Sequence, residues 1–220
     1  MKLNFKIYPM KNVLVILAVI LSAASMSAQG IYGGKVSIGK VLAGEETTYV
    51  GQPFDFIEHQ VTYEGSSSVK NIGAFYQHKF GWLYMRTDLG FTAVDQRYQV
   101  ESFVPVENPL DFAIDRFQFI DLQVMGGLTK DNWRFGAGPV AHILVGSDSE
   151  LDFIEGFQSK MRGITYGFSG GVGYDAGRLH LDVRYEVAFR NVGDHLYYVN
   201  RMARSLNKAH QINFTIGVSI

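Results

Sequence analysis

His180, Asp182, Arg184 and Glu186 stand at alternate positions among Leu179, Leu181, Val183, Tyr185 and Val187. A spacing of two puts the ionisable groups on one face of a β-strand and the apolar ones on the other. The same alternation sets Tyr84, Arg86, Asp88 and Gly90 against Leu83, Met85, Thr87, Leu89 and Phe91, and Asp121 and Gln123 against Ile120, Leu122 and Val124. Lys35, Arg134 and Arg190 fall on the matching faces of other segments. Lys35, Arg86, Arg134, Arg184 and Arg190 thus oppose Asp88, Asp121, Asp182 and Glu186, with His180 nearby, and the signs nearly cancel. In a barrel of eight strands, whose interior is just wide enough for side chains to fill, such a set is expected to pair with itself and plug the lumen. A narrow ion path is the functional alternative.

Other residues carry weaker signals. His142, followed by Ser147, Asp148 and Ser149, contains the types a lipid hydrolase or acyltransferase needs, but no nucleophile motif surrounds them. His195 beside Asp194 reads as a solvated loop histidine. Asp148-Ser149-Glu150-Leu151-Asp152 alternates acids, yet Phe153 stands where a calcium loop requires glycine, so neither a metal nor a cofactor is expected. Arg201, Arg204 and Lys208 make one loop basic, suited to an acidic neighbouring loop or to lipopolysaccharide phosphates. Tyr49, Phe54, Phe56 and Tyr63 concentrate aromatics in a long connection, the composition of a partner site or of a rim packed on the barrel.

These residues need strands to position them. Alternation recurs over 32–40, 72–79, 82–93, 117–128, 133–145, 164–175, 178–190 and 211–220. The phase of 72–79 is ambiguous because Phe75 and Tyr76 are adjacent, and Pro139 inside 133–145 calls for a bulge. The connections alternate between long (41–71, 94–116, 146–163, 191–210) and tight (80–81, 129–132, 176–177), the rhythm of a barrel with short periplasmic turns and long outer loops. In the last segment, Ile212, Phe214, Ile216, Val218 and Ile220 share one face, and Gln211, Asn213, Thr215, Gly217 and Ser219 the other. A lipocalin-like soluble barrel would reverse these faces. The expected fold is therefore an all-β, eight-stranded antiparallel up-and-down transmembrane β-barrel occupying 29–220.

Lys2, Lys6 and Lys11 precede the apolar run 13–21 and the small residues 22–28, the pattern of a signal peptide cleaved near Ala28. Without those three lysines, 17 basic residues face 21 acidic ones, so nucleic acid is an unsuitable partner. The absence of cysteine excludes a lipoprotein anchor and a disulfide framework.

Phe119-Ile120-Asp121-Leu122-Gln123-Val124, Phe135-Gly136-Ala137-Gly138-Pro139 with Leu144, Gly171-Val172-Gly173-Tyr174, and Leu179 through Arg184-Tyr185 together resemble the small outer-membrane β-barrel family that includes PorT-like proteins, related in architecture to OmpA and OmpX barrels. The resemblance implies export to the outer membrane of a Gram-negative-type cell and insertion by the outer-membrane assembly machinery. It implies little about activity; the expected role is that of a non-catalytic surface or assembly protein, by resemblance an accessory of protein secretion or envelope integrity, with an envelope or secretion protein and outer-membrane lipid, including lipopolysaccharide, as partners. A lipid-modifying enzyme and a small passive channel are the alternatives.

Overall fold

Strands form wherever apolar and polar residues alternate, and they continue past the segments where they do. The computed structural model describes residues 30–42, 46–51, 57–102, 112–150, 163–189, 197–198, 201–202 and 210–220. The expected signal segment lies outside them. The strands are β1 (Ile31–Leu42), β2 (Glu46–Gly51), β3 (Ile57–Phe80), β4 (Leu83–Ser102), β5 (Phe112–Lys130), β6 (Trp133–Ser149), β7 (Ile164–Ala176), β8 (Leu179–Ala188), β9 (Tyr197–Tyr198), β10 (Arg201–Met202) and β11 (His210–Ser219).

Eight of them build the wall. Neighbours run in the order β1, β11, β8, β7, β6, β5, β4, β3, and the sheet closes because β3 also pairs with β1. Every pairing is antiparallel. Following the registers once round from Ile31, through Gln77, Arg86, Ser169, Glu186 and Gln211, leads back to β1 at Val41. A stagger of that size in eight strands tilts them by about 45° from the barrel axis.

Three two-residue turns close one end, where Phe80 faces Leu83, Lys130 faces Trp133 and Ala176 faces Leu179. Gly81 and Gly177 each take φ 63°, and Asp131 takes φ 55°, a left-handed conformation free to glycine and tolerated by aspartate.

Two expectations need correction. The segments 41–71 and 94–116 are not mainly loops: β3 and β4 pair up to His59 and Ser102, β5 begins at Phe112, and β2 adds a further strand against β3. On β4 the ladder continues with the faces inverted, Val94, Tyr98 and Val100 inward and Asp95, Arg97 and Gln99 outward, so the apolar-outward pattern of the belt stops at Ala93. Pro139 needs no bulge. Gln123 faces Val140 and Gly126 faces Ala137 in one register, Pro139 points outward, and the irregularity lies instead between Gln118 and Phe119. The missing N–H interrupts the ladder locally without shifting it.

The faces are assigned as expected for a lipid-facing wall. Ile38, Ile72, Phe91, Phe168, Val183, Tyr185, Phe214 and Ile216 point outward and are between 42% and 69% exposed, whereas Arg86 is 0% and Asp88 2% exposed. A continuous apolar exterior of this kind far exceeds the few hundred Å² that a soluble monomer tolerates. On β4 it runs from Leu83 to Ala93, a climb of about 24 Å at this tilt, which matches the roughly 25 Å apolar band of membrane barrels. Phe80, Trp82 and Trp133 ring the turn end, with the Trp133 and Tyr174 rings packed edge to face at 5.0 Å. Amphipathic rings favour the membrane interface.

Candidate functional site: the charged lumen

Period two on β4, β6, β7 and β8 delivers the charged side chains to one interior, where they form two linked clusters. At the turn end Asp175 accepts from Arg134 Nε at 2.7 Å, Lys79 Nζ at 3.0 Å and Gln77 Nε2 at 3.4 Å, and lies 2.8 Å from His180 Nδ1. Above it Asp182 receives three guanidinium groups: Arg134 Nη2 at 3.1 Å, Arg86 Nη1 at 3.2 Å and Arg184 Nη2 at 3.4 Å. Asp88 gathers Arg184 Nη1 at 2.8 Å, Arg86 Nε at 3.2 Å and Lys35 Nζ at 3.4 Å. Arg184 Nη1 also donates to Gln123 Oε1 at 2.5 Å. Aromatic faces support two of the cations, with Arg86 4.2 Å above the Phe75 ring and Arg134 5.8 Å from that of Tyr84.

Shared carboxylates explain how so much charge is tolerated. A buried ion repays its lost hydration only when its partners are close and its remaining donors are occupied. Each aspartate here lies within ion-pair or hydrogen-bond distance of three or more donors, and each buried arginine reaches at least two acidic or amide groups, although Arg86 Nη2 and Arg184 Nε find no hydrogen-bond partner among the described residues.

Glycine makes the geometry possible at one point. A Cβ on Gly173 would come within 2.4 Å of Asp182 Oδ1 and 2.7 Å of Arg134 Nη2. Gly173→Ala is therefore expected to separate that ion pair and destabilise the barrel by about 1 to 3 kcal/mol, the usual cost of overpacking. A urea titration in lipid vesicles checks this, and an unchanged midpoint would contradict it.

Nearer the loop end, His142 bridges two acids, with Nδ1 2.7 Å from Asp121 Oδ1 and Nε2 2.7 Å from Glu186 Oε1. Thr92 donates to Asp121, and Asn71 donates to Thr92 at 2.7 Å. Since an ionised carboxylate only accepts, two protons must be shared among His142, Asp121 and Glu186. Both imidazole nitrogens are thereby engaged, so neither is available to activate a serine. Ser149, the expected neighbour of His142, donates instead to Asp115 at 2.5 Å.

Between the lower ion cluster and His142 lies a cavity bordered by Lys35, Asp88, Gln123, Arg184, Glu186 and Thr215. Its free volume of about 40 Å³ holds roughly three waters. One inward position beyond Asn71, Thr92 and Phe119 the lumen turns apolar, where Val69, Val94 and Phe117 pack with Val41, Phe119 and Leu144.

The lumen set expected from sequence is brought together. Lys35, Arg86, Asp88, Arg134, His180, Asp182 and Arg184 join the lower clusters, and Asp121 and Glu186 meet at His142. Arg190 lies outside the described residues. Sequence reasoning missed Gln77, Lys79, Asp175 and the inward aim of His142. Asp175 shares the parity of Gly173 next to a turn, which is the signal that could have found it. Of the loop residues, Tyr49 is part of β2 opposite Gln60 and Arg201 part of β10 opposite Tyr198, so neither is in an unstructured loop. Phe54, Phe56, Arg204 and His195 lie outside the described residues. Among those described, no group of three or more His, Asp or Glu side chains is arranged to hold a metal ion.

No protein-family model matches the chain, and no curated protein matches its sequence. The resemblance to PorT-like barrels thus rests on the short residue runs alone. Among solved structures, the chain is similar to the outer membrane protein OprG from Pseudomonas aeruginosa, at 13% identity and TM-score 0.43, covering 87% of this chain and 94% of that one. It is also similar to Ail, the attachment invasion locus protein of Yersinia pestis, solved in complex with the heparin analogue sucrose octasulfate, at 9% identity and TM-score 0.41, covering 87% and 97%. The translocator domain of autotransporter NalP from Neisseria meningitidis matches at 8% identity and TM-score 0.32, covering 95% and 94%.

Proposed function

We propose that this protein is a non-catalytic, non-conducting outer-membrane barrel that holds an extended set of strands beyond the outer leaflet, where it meets its partners. The observation that supports the reading is a lumen filled at two levels: by shared ion pairs across its lower half, and above them by the apolar cluster of Val41, Val69, Val94, Phe117 and Phe119 on β1, β3, β4 and β5. A permeating ion would have to displace guanidinium groups already bound to carboxylates and then pass the apolar cluster. Both steps are costly. The outward continuation of β3, β4, β5 and β6 supplies the surface on which a partner can dock. Through its resemblance to PorT-like barrels, we assign it a role as an accessory of protein secretion or envelope integrity, inserted by the outer-membrane assembly machinery.

The test is conductance in planar lipid bilayers. The refolded barrel is expected to give no single-channel steps at 1 M salt (on the order of a 3 Å screening length). Regular steps that scale with ionic strength would establish a channel and overturn this reading. Photo-crosslinking from β2 and from the 191–210 connection would then name the partner, and capture of a defined secretion or envelope protein supports the accessory role.

A further inference from the structure

Polar and charged residues enter the outer wall along one row, although Leu42 and Phe112 still point outward beyond it. Lys40 pairs with Ser68, Ser68 with Asp95, Asp95 with Arg116 and Arg116 with Asp148, so five neighbouring strands present these residues side by side. All five point outward. Four positions nearer the turn end, the first four of those strands carry Val36, Ile72, Phe91 and Ile120 in the apolar belt. Because the strands are tilted, the row also climbs towards the loop end by about 3 Å per strand, so Lys40 stands at the loop-side edge of the belt and Arg116 about 10 Å beyond it, across the depth that headgroups occupy if the belt spans the outer membrane. The inference shares that premise with the function proposed above.

Two more cations flank the row, Lys70 two residues below Ser68 and Arg97 two above Asp95. Lys40 and Arg116 are separated by three strand spacings, about 14 Å. Lys40 and Arg97 make no ion pair among the described residues. Lys70 reaches Asp95 only at 3.8 Å, with its side chain 72% exposed, and Arg116 holds Glu150 at 3.3 Å and Asp148 at 3.9 Å. Exposed pairs of this kind are weak enough for a phosphate to compete with them. Among the described residues these outward cations lie on β1, β3, β4 and β5, whereas on β7 and β8 the described outward residues nearest the loop end are Ile164, Tyr166 and Phe189. Long cationic side chains at a membrane edge lay their stems on the apolar wall and extend their heads to lipid phosphates.

We propose that the arc formed by Lys40, Lys70, Arg97 and Arg116 binds the phosphate groups of an anionic glycolipid in the outer leaflet. Asp95, in the middle of the arc, weakens that attraction and tunes it.

The full mature protein is placed in phosphatidylcholine nanodiscs containing a small share of lipopolysaccharide, and the glycolipid kept by each barrel is counted by native mass spectrometry. Enzymatically dephosphorylated lipopolysaccharide is run in parallel. The wild type is expected to keep the phosphorylated form, K40E/K70E/R97E to keep at least ~10-fold less, following the attraction of each cation near the surface, and D95N to keep more. Equal retention of the dephosphorylated lipid, or unchanged retention in the triple variant, would overturn the proposal. Heat-modifiable migration reports whether the triple variant has folded. If it has not, D95N and K40Q decide, and no change in either refutes phosphate binding. Conductance reads the lumen and retention reads the outer wall, so the two readings fail separately.

Discussion

Replacing Asp182 by alanine is expected to cost the barrel about 3 to 5 kcal/mol, the range for removing one partner from a buried ion network. Its two oxygens serve Arg86, Arg134 and Arg184 at 3.1 to 3.4 Å, and all three guanidinium groups are almost wholly buried. Without the carboxylate, Arg134 retains Asp175, and Arg86 and Arg184 are left to share Asp88. Like charges then face one another across the gap left by the carboxylate. Asp182→Asn keeps the shape and the acceptor oxygen but loses the charge, so it should fall between wild type and alanine. Urea unfolding in lipid vesicles, followed by the fluorescence of Trp82 and Trp133, measures both. A shift within about 0.5 kcal/mol for Asp182→Ala, the usual range of an inconsequential surface change, would mean the network contributes little.

Arginine on the outer face should be tolerated according to depth. Sequence alone suggests Leu181→Arg as a test of the lipid face, but Leu181 lies only two residues from Leu179 at the turn end, opposite Tyr174, and an arginine there can reach the interface. Val183 is 45% exposed and close to the middle of the apolar stretch that β8 presents from Leu179 to Tyr185 and on to Phe189. Val183→Arg is therefore expected to cost about 2 to 4 kcal/mol and Leu181→Arg distinctly less, since the penalty of lipid-facing arginine falls toward either interface. Heat-modifiable migration gives the yield of folded barrel and urea titration the energies. Equal effects at the two positions would refute the assigned depths.

The features behind these two effects differ in how openly the sequence displays them. β4, β8 and β11 are legible because each alternates cleanly, and every inward residue expected on them within the described segments is inward. β3 is not, because Phe75 and Tyr76 are both aromatic; in the folded chain Phe75 turns into the lumen beneath Arg86 and Tyr76 turns out. The strand extensions beyond the belt are hidden for a related reason. Beyond the belt the contrast between faces inverts on β4, with Val94, Tyr98 and Val100 inward, so the apolar-outward pattern that marks a lipid-facing strand ends while pairing with neighbours carries the strand on. His142 shows a third limit. Its surroundings in sequence, Ala141, Ile143 and Leu144, are apolar, and its partners Asp121 and Glu186 become neighbours only once β5, β6 and β8 share a wall.

The distribution of charge around that wall has a consequence for the order in which it is built. β4, β6 and β8 supply Arg86, Asp88, Arg134, His142, His180, Asp182, Arg184 and Glu186, whereas β1 supplies only Lys35 and β11 brings no ionisable side chain to the ion clusters. The first and last wall strands meet through the Ser37 and Thr215 hydroxyls, 2.7 Å apart, and through the close approach of Gly39 to Asn213. A curved sheet running from β3 to β8 can thus satisfy nearly all of its carboxylates and guanidinium groups while its two ends are still apart. Zipping β1 to β11 becomes the electrostatically cheapest step to leave until last, and a half-inserted chain can wait at that point without stranding arginine in hydrocarbon.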